Sequence, residues 1–369
     1  MIVGAGPAGL AVAACLAQRG LPFTLLEQKD AVGWAWRNHY ERLHLHTPRN
    51  HSALPHLPMP AQYPTYPSRQ QVVDYLEAYA AKFGLQAKTG VTVNEIARVG
   101  DGWKVDSSAG AVEGGAVVVC TGYNRVPVQP QWPGRAEFQG EVLHSTAYKN
   151  GEKFRGKVVL VVGAGNSGAE IALDLLEHGA TPLICIRGPI HVISRDVGPI
   201  PAMNVAIAME SAPLWFRDAV VLAGSKATYG DLSRWGIVRP KKGPLTQITV
   251  DGRIPLIDIG TIGAIKKGQI KVVPGIERFT AAGVKCVDGN AHGLDAVVLA
   301  TGFRTGLQQF LPSLPGVLDE KGMPRALLGS AEAPRLYFVG FENPATGFLR
   351  AIGRRALEVG AAIEKELAS

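Results

Sequence analysis

A six-residue glycine pattern occurs twice in this chain and limits what it can fold into: Gly4-Ala-Gly6-Pro7-Ala8-Gly9 and Gly163-Ala-Gly165-Asn166-Ser167-Gly168. Both copies read GxGxxG. Each follows an apolar run (Met1–Val3 and Lys157–Val162) and opens an apolar stretch of helical character (Leu10–Gln18 and Ala169–Glu177). A second apolar run follows each, at Pro22–Glu27 and Pro182–Arg187. This is a strand–turn–helix–strand order. In such a unit the first glycine permits the tight turn, the second admits a pyrophosphate close to the backbone, and the third lets the helix pack closely. The helix N-terminus then presents free N–H groups to the phosphates. Two such units in 369 residues predict an α/β chain with two Rossmann-like dinucleotide-binding domains.

The residue ending the second strand separates the two sites. An acid there binds ribose hydroxyls, and Glu27, followed by Gln28, occupies that place in the first unit. In the second unit the place is held by Arg187. A carboxylate repels a 2′-phosphate, whereas a guanidinium pairs with it through two parallel hydrogen bonds. The first site is therefore read as FAD-binding and the second as NADPH-binding, with Arg195 as a further candidate for the phosphate. A duplicated NAD fold without flavin is the alternative. The runs Ala116–Gly122 (AVVVCTG) and Ala296–Gly302 (AVVLATG) echo each other. They read as the return crossings between domains, with Thr121 and Gly122 on the FAD side and Thr301 and Gly302 on the NADPH side. The expected division is an FAD domain at 1–150 and 303–369, and an NADPH domain at 151–302 inserted into it. The proline-interrupted stretch at about 199–245 reads as a helical lobe of that insert.

Composition removes several other classes. Glycine is 44 of 369 residues, about 12% against roughly 7% on average and without a collagen-like period, as many tight turns require. Cys15, Cys120, Cys185 and Cys286 are scattered, with neither a CxxC redox pair nor zinc-ligand spacing. A disulfide-stapled secreted domain is excluded on that ground, and a cytoplasmic location is expected. There is no 18-residue apolar run to span a membrane and no charged n-region of a signal peptide. The net charge of +7 is dispersed, with runs no longer than Lys241-Lys242 and Arg354-Arg355. That argues against nucleic acid and for anionic cofactors or substrates. Whether the chain forms a homo-oligomer is left open. The first strand reads as unusually short, which raises the question of whether residues precede Met1.

Between these units, residues 44–68 hold six prolines, and five histidines fall between 39 and 56, so the segment reads as irregular. No metal site is expected there, because Glu41 is the sole acid among those histidines. Amphipathic helices are expected at Arg69–Phe83 and Leu349–Leu367.

The run Phe138-Gln-Gly140-Glu-Val-Leu-His144-Ser-Thr-Ala-Tyr148 matches the FxGxxxHxxx(Y/F) signature of class B flavin-dependent monooxygenases. Baeyer–Villiger members carry tryptophan at the place of Tyr148, so the chain differs from them. Within the class it resembles the YUCCA-like flavin monooxygenases of the indole-3-pyruvate type. Tyr40–His46, Tyr66–Arg69, Phe154–Val158, Gly163–Gly168, Arg239–Lys241 and Gly268–Ile276 carry the resemblance, which is looser at Val339–Gly347.

The resemblance implies a glutathione-reductase-like arrangement of the two domains and an FAD- and NADPH-dependent monooxygenase. Its partners are O₂ and a small organic substrate, and it works through a C4a-(hydro)peroxyflavin. The substrate class it implies is an aromatic 2-oxo acid such as indole-3-pyruvate, decarboxylated to the acetate. N- or S-oxygenation of small amines or thioethers is the alternative, and a flavin-binding redox sensor without turnover is a third reading. A disulfide reductase would need the absent cysteine pair. Phe138, Gly140, His144 and Tyr148 are then expected as a linker that positions the domains, with His144 structural rather than a base. His46 is expected as the catalytic group hydrogen-bonding beside the flavin, with packing of His44 and His46 on one face as the alternative. Trp36 and Arg42 are expected against the flavin or its chain.

Overall fold

The computed structural model describes residues 1–367, and they divide into two units. The first comprises 1–38, 47–126 and 303–367; the second comprises 39–46 and 127–302.

The first unit is built on a five-stranded, all-parallel sheet in the order Leu336–Phe338, Val117–Val119, Ile2–Val3, Leu25–Leu26, Ala87–Lys88. The opening strand has two residues, but bonds beyond its ends extend it. Val118 N–H donates to the Met1 carbonyl, and Gly4 N–H donates to that of Leu26. Helix α1 (Pro7–Ala17) follows at once, with Pro7 at its first turn where no N–H is needed. Ala8 through Leu16 are all buried, because α1 also packs against the C-terminal helix Phe348–Leu367. That helix turns Ile352, Ala356, Val359 and Ile363 inward, the face that its periodicity predicts. Helix α2 (Arg69–Lys82) starts in a capping box: Ser68 Oγ accepts from Gln71 N–H, and Gln71 Oε1 accepts from Ser68 N–H. A three-stranded antiparallel meander (Val93–Val99, Gly102–Ser107, Val112–Gly114) leads into Val117–Val119.

The second unit repeats this plan. Its parallel sheet runs Lys271–Val273, Thr181–Cys185, Val158–Val162, Ala296–Leu299, Glu141–His144. Helix α3 (Asn166–Glu177) follows Val158–Val162, and an antiparallel meander (Ile276–Thr280, Gly283–Cys286, Ala291–Gly293) leads into Ala296–Leu299. Within each sheet four strands follow the chain in the order 3-2-1-4, a dinucleotide-binding half. The fifth place is taken by a strand from the chain's end in the first unit and by a preceding strand in the second. This moves the boundary expected at residue 150 back to 126. Glu141–His144 pairs residue for residue with Ala296–Leu299, so the signature segment is an edge strand of the second sheet rather than a connection outside it.

The lobe of the second unit contains the helices Ala202–Ala208 and α4 (Leu214–Tyr229). Helix α4 turns Asp218, Ser225 and Tyr229 inward. Asp218 Oδ1 accepts from Leu245 N–H at 2.6 Å, and its Oδ2 accepts from Thr246 Oγ1. A polar clamp thus replaces an apolar seam here.

Candidate functional site

The first glycine turn forms a cradle at the C-terminal end of the central strand. Gly4 has φ +103°, and a side chain there would meet the Cys120 carbonyl at 2.7 Å. A Cβ at Gly9 would lie 1.8 Å from the Gly4 carbonyl oxygen. The third glycine therefore lets α1 pack on the carbonyl of the first. Gly6 differs: a Cβ there would meet nothing within 4 Å. It is the N-cap of α1 and has no side-chain cap, so its face of the turn is open to an anion beside free N–H groups. Glu27 closes the cradle. Its Oε2 accepts from Ala5 N–H at 2.7 Å and its Oε1 from Lys29 N–H at 2.9 Å. Gln28 is exposed, with Nε2 3.4 Å from Thr92 Oγ1. Gly122 takes φ +72°, and the buried Thr121 hydroxyl next to it has no hydrogen-bond partner among the described residues. An orphaned hydroxyl and an open phosphate cradle at the C-terminal end of one sheet suit a dinucleotide. Trp36 lies half-buried on the short helix Trp34–Asn38 of this unit.

The second turn has the same geometry. Gly163 has φ +113° and faces the Ala300 carbonyl; a Cβ at Gly168 would lie 1.9 Å from the Gly163 carbonyl; a Cβ at Gly165 would meet nothing. Asn166 holds this turn from the side, its Oδ1 accepting from Ile257 N–H at 2.8 Å. Arg187, just past the strand Thr181–Cys185, is exposed and makes no ion pair among the described residues. Its guanidinium is available to a phosphate. Arg195 is held by Asp196 at 3.2 Å. Thr301 is not an orphan like Thr121, since its hydroxyl donates to the Val128 carbonyl. Gly302 accepts from Val128 N–H. Thr301 thus secures a chain crossing within its own unit.

The signature residues are built into the second unit. Phe138 is buried, and a Cβ at Gly140 would collide with Phe138 Cζ at 2.4 Å and the Asp295 carbonyl at 2.5 Å. His144 ends the edge strand, buried, with Nδ1 3.2 Å from Thr146 Oγ1. Burial holds its imidazole below the ordinary range, partly countered by a bond with the Gly302 backbone. Tyr148 is fully buried, stacks on Phe154 and donates to Asp174 Oδ2 at 2.6 Å.

Residues 39–46 correct the sequence reading most. They lie between two pieces of the first unit in sequence, yet they belong to the second. Glu41 N–H donates to the Lys149 carbonyl, and Asn150 Nδ2 donates to Glu41 Oε2. Arg42 forms a two-pronged pair with Glu177 of α3, at 3.0 and 2.6 Å. That bond raises the Arg42 pKa and lowers that of Glu177. His46 places Nε2 2.7 Å from Glu170 Oε1 on the same helix. His44 is exposed, so the two histidines do not pack as a pair. The physical reason is the acidic stripe of α3, Glu170, Asp174 and Glu177, which recurs at helical spacing and recruits cationic and hydroxyl groups. Glu170, Asp174 and Glu177 pair with side chains whose partners sequence reasoning did not identify. The available signal was three acids at helical spacing within a largely apolar helix. No group of three metal-ligating side chains is present among the described residues.

Comparison with known proteins adds the following. Residues 1–199 match the pyridine nucleotide-disulphide oxidoreductase family. The chain is 41% identical over 355 residues to indole-3-pyruvate monooxygenase YUCCA1 of Oryza sativa subsp. japonica, covering 92% of this chain and 86% of that one. It is 40% identical over 357 residues to a probable indole-3-pyruvate monooxygenase, YUCCA8 of Arabidopsis thaliana, covering 92% and 83%. Among solved structures, a flavin-containing monooxygenase from Stenotrophomonas maltophilia superposes with a TM-score of 0.77 at 23% identity, over 99% of this chain and 98% of that one. Cyclohexanone monooxygenase from Rhodococcus sp. Phi1 superposes with a TM-score of 0.72 at 19% identity, over 100% and 84%. These two likenesses establish the shared fold.

Proposed function

The chain belongs to the YUCCA-type flavin-dependent monooxygenases, which use FAD and NADPH, and from that premise we propose that it converts an aromatic 2-oxo acid to the carboxylic acid one carbon shorter. The balanced reaction takes R–CO–COOH, O₂, NADPH and a proton to R–COOH, CO₂, NADP⁺ and water. The observation that carries this reading is the 41% identity, across nearly the whole chain, to an enzyme named for indole-3-pyruvate.

When bound, the flavin supplies O₂ activation and NADPH supplies the hydride. The protein's own work is binding and orientation. Gly4, Gly6, Pro7, Ala8 and Gly9 would seat the FAD pyrophosphate at the N-terminus of α1, with Glu27 toward the ribose and the unpartnered Thr121 hydroxyl as a further donor. Gly163, Gly165, Asn166, Ser167 and Gly168 would seat the second pyrophosphate at α3, and the exposed Arg187 would take the 2′-phosphate.

The test is product analysis: purified holoenzyme, NADPH and oxygenated buffer, with and without indole-3-pyruvate. One indole-3-acetate and one CO₂ per NADPH consumed supports the proposal. NADPH consumption that ignores the 2-oxo acid and yields no acetate overturns it. Oxygenation of a small amine or thioether in parallel reactions would then identify the other substrate class.

A further inference from the structure

We propose that Gly275 and Val287 form an apolar shelf of the NADPH site, which receives the adenine base of the cofactor and sets the place of Arg187 beside it. The inference rests on the reading of the second glycine turn as the NADPH cradle.

Three pieces of the second unit meet here. Arg187 follows the strand Thr181–Cys185, Gly275 follows Lys271–Val273, and Val287 follows Gly283–Cys286. Hydrogen bonds tie the three together. Ile186 N–H donates to the Val273 carbonyl at 2.9 Å, Cys185 Sγ donates to that of Pro274 at 3.1 Å, and Val287 N–H donates to that of Gly275 at 2.9 Å. A Cβ at Gly275 would lie 3.6 Å from Arg187 Cγ and 3.9 Å from Val287 Cγ1. The bare glycine is therefore a notch bordered by the stem of Arg187 and by Val287. Gly275 itself is buried, whereas Arg187 is exposed and Val287 is 65% exposed.

The place and the chemistry of this shelf both suit a purine. Thr181–Cys185 pairs in parallel with Val158–Val162 and with Lys271–Val273. The glycine turn after Val158–Val162 and the residues after the other two strands thus open on one C-terminal edge of the sheet, where open α/β sheets bind their ligands. A valine left in water gains by burial against an apolar face. A guanidinium stacks on an aromatic plane and still offers N–H groups to a phosphate. The acid next to Val287 does not claim that guanidinium, because the Asp288 carboxylate accepts from Asn290 N–H at 3.0 Å and from Asn290 Nδ2 at 2.8 Å. The two shelf residues have separable duties. Val287 offers apolar contact only, so it serves the base and is indifferent to the 2′-phosphate. Gly275 leaves room for the Arg187 stem, so it governs where the phosphate-binding group stands.

The experiment measures Kd for NADP⁺ and for 2′,5′-ADP by titration calorimetry, and kcat/KM for NADPH and NADH, in holoenzyme carrying Val287→Ser, Gly275→Leu or Gly165→Ala. FAD content is recorded for each. In Val287→Ser the expected result is full FAD content, Kd raised about fivefold for both ligands, and an unchanged preference for NADPH over NADH, since the base is common to all of them. In Gly275→Leu the larger side chain takes the space of the Arg187 stem, so Kd is expected to rise about tenfold or more and the preference for NADPH to fall. An unchanged Kd in fully loaded Val287→Ser overturns the proposal, as does an unchanged preference in Gly275→Leu. If Gly165→Ala also leaves both Kd values unmoved, the reading of the turn itself fails. Weakened binding in Gly165→Ala with none in Val287→Ser refutes the shelf alone. If Gly275→Leu does not fold, Val287→Asp takes its place: a carboxylate there would pair with Arg187 and lower the preference for NADPH, and an unchanged preference overturns the proposal.

Discussion

At the residue scale, the three glycines of each fingerprint fail in different ways when substituted. Gly9 cannot accept a methyl group, because its Cβ would sit 1.8 Å from a backbone carbonyl. Gly9→Ala is therefore expected to cost more than about 4 kcal/mol and to leave little folded protein. Gly6→Ala meets no protein atom and its φ of −77° suits alanine, so the chain is expected to fold but lose its flavin, the methyl group occupying the pyrophosphate's place. Absorbance of the purified variants at the flavin band, beside their soluble yield, separates the two; a fully yellow Gly6→Ala protein would contradict the assignment. Arg187→Ala is expected to raise KM for NADPH about tenfold or more with little change for NADH. Equal effects on both would remove Arg187 from the phosphate site. The turn geometry of these glycines was legible because spacing determines it locally. The pairings of Arg42 and His46 were not, because their partners Glu177 and Glu170 lie more than a hundred residues away in the chain and no local pattern reports such a pairing.

At the element scale, apolar runs located the central strands to within a few residues. Val158–Val162 and Ala296–Leu299 fall inside the stretches expected from the sequence. The edge strand Glu141–His144 was read as a linker, because its motif is recognised by spacing and the strand is only four residues long, without apolar alternation. Its place in the sheet explains His144. Burial holds this imidazole below its ordinary 6.5, so the folded protein favours the neutral form. As pH falls the unfolded chain takes up the proton first, so this contribution is complete above about pH 6.5 and is lost progressively below it. Thermal melts between pH 8 and pH 5 are expected to show a steeper decline for the native protein than for His144→Asn. Parallel curves would show that the imidazole is not the titrating group.

At the scale of the whole molecule, the repeated strand order follows from the repeated fingerprint, whereas the path of the chain between units does not. The chain changes unit four times, at 38/39, 46/47, 126/127 and 302/303. The eight-residue excursion has no local pattern that reports its unit, because its partners Glu170 and Glu177 lie far away in the chain. It does carry an energetic consequence. A fragment of residues 127–302 keeps the buried Glu170 but lacks its partner His46, and breaking a buried pair by removing one partner costs about 3–5 kcal/mol. Such a fragment is expected to melt well below the same fragment supplied with a peptide of residues 39–46; equal melting temperatures would show that the excursion contributes nothing. The lobe offers a further use. Trp215 on α4 is 72% exposed, while Trp103 in the meander of the first unit is 2% exposed and donates to the Pro334 carbonyl. An indole in water emits at longer wavelength than one in a dry core, and an ionic quencher such as iodide reaches only the former. With the partly exposed Trp34, Trp36, Trp132 and Trp235 replaced by phenylalanine, the long-wavelength, quenchable part of the emission is an optical probe of the lobe, and the shielded part reports on the first unit's core without any added label.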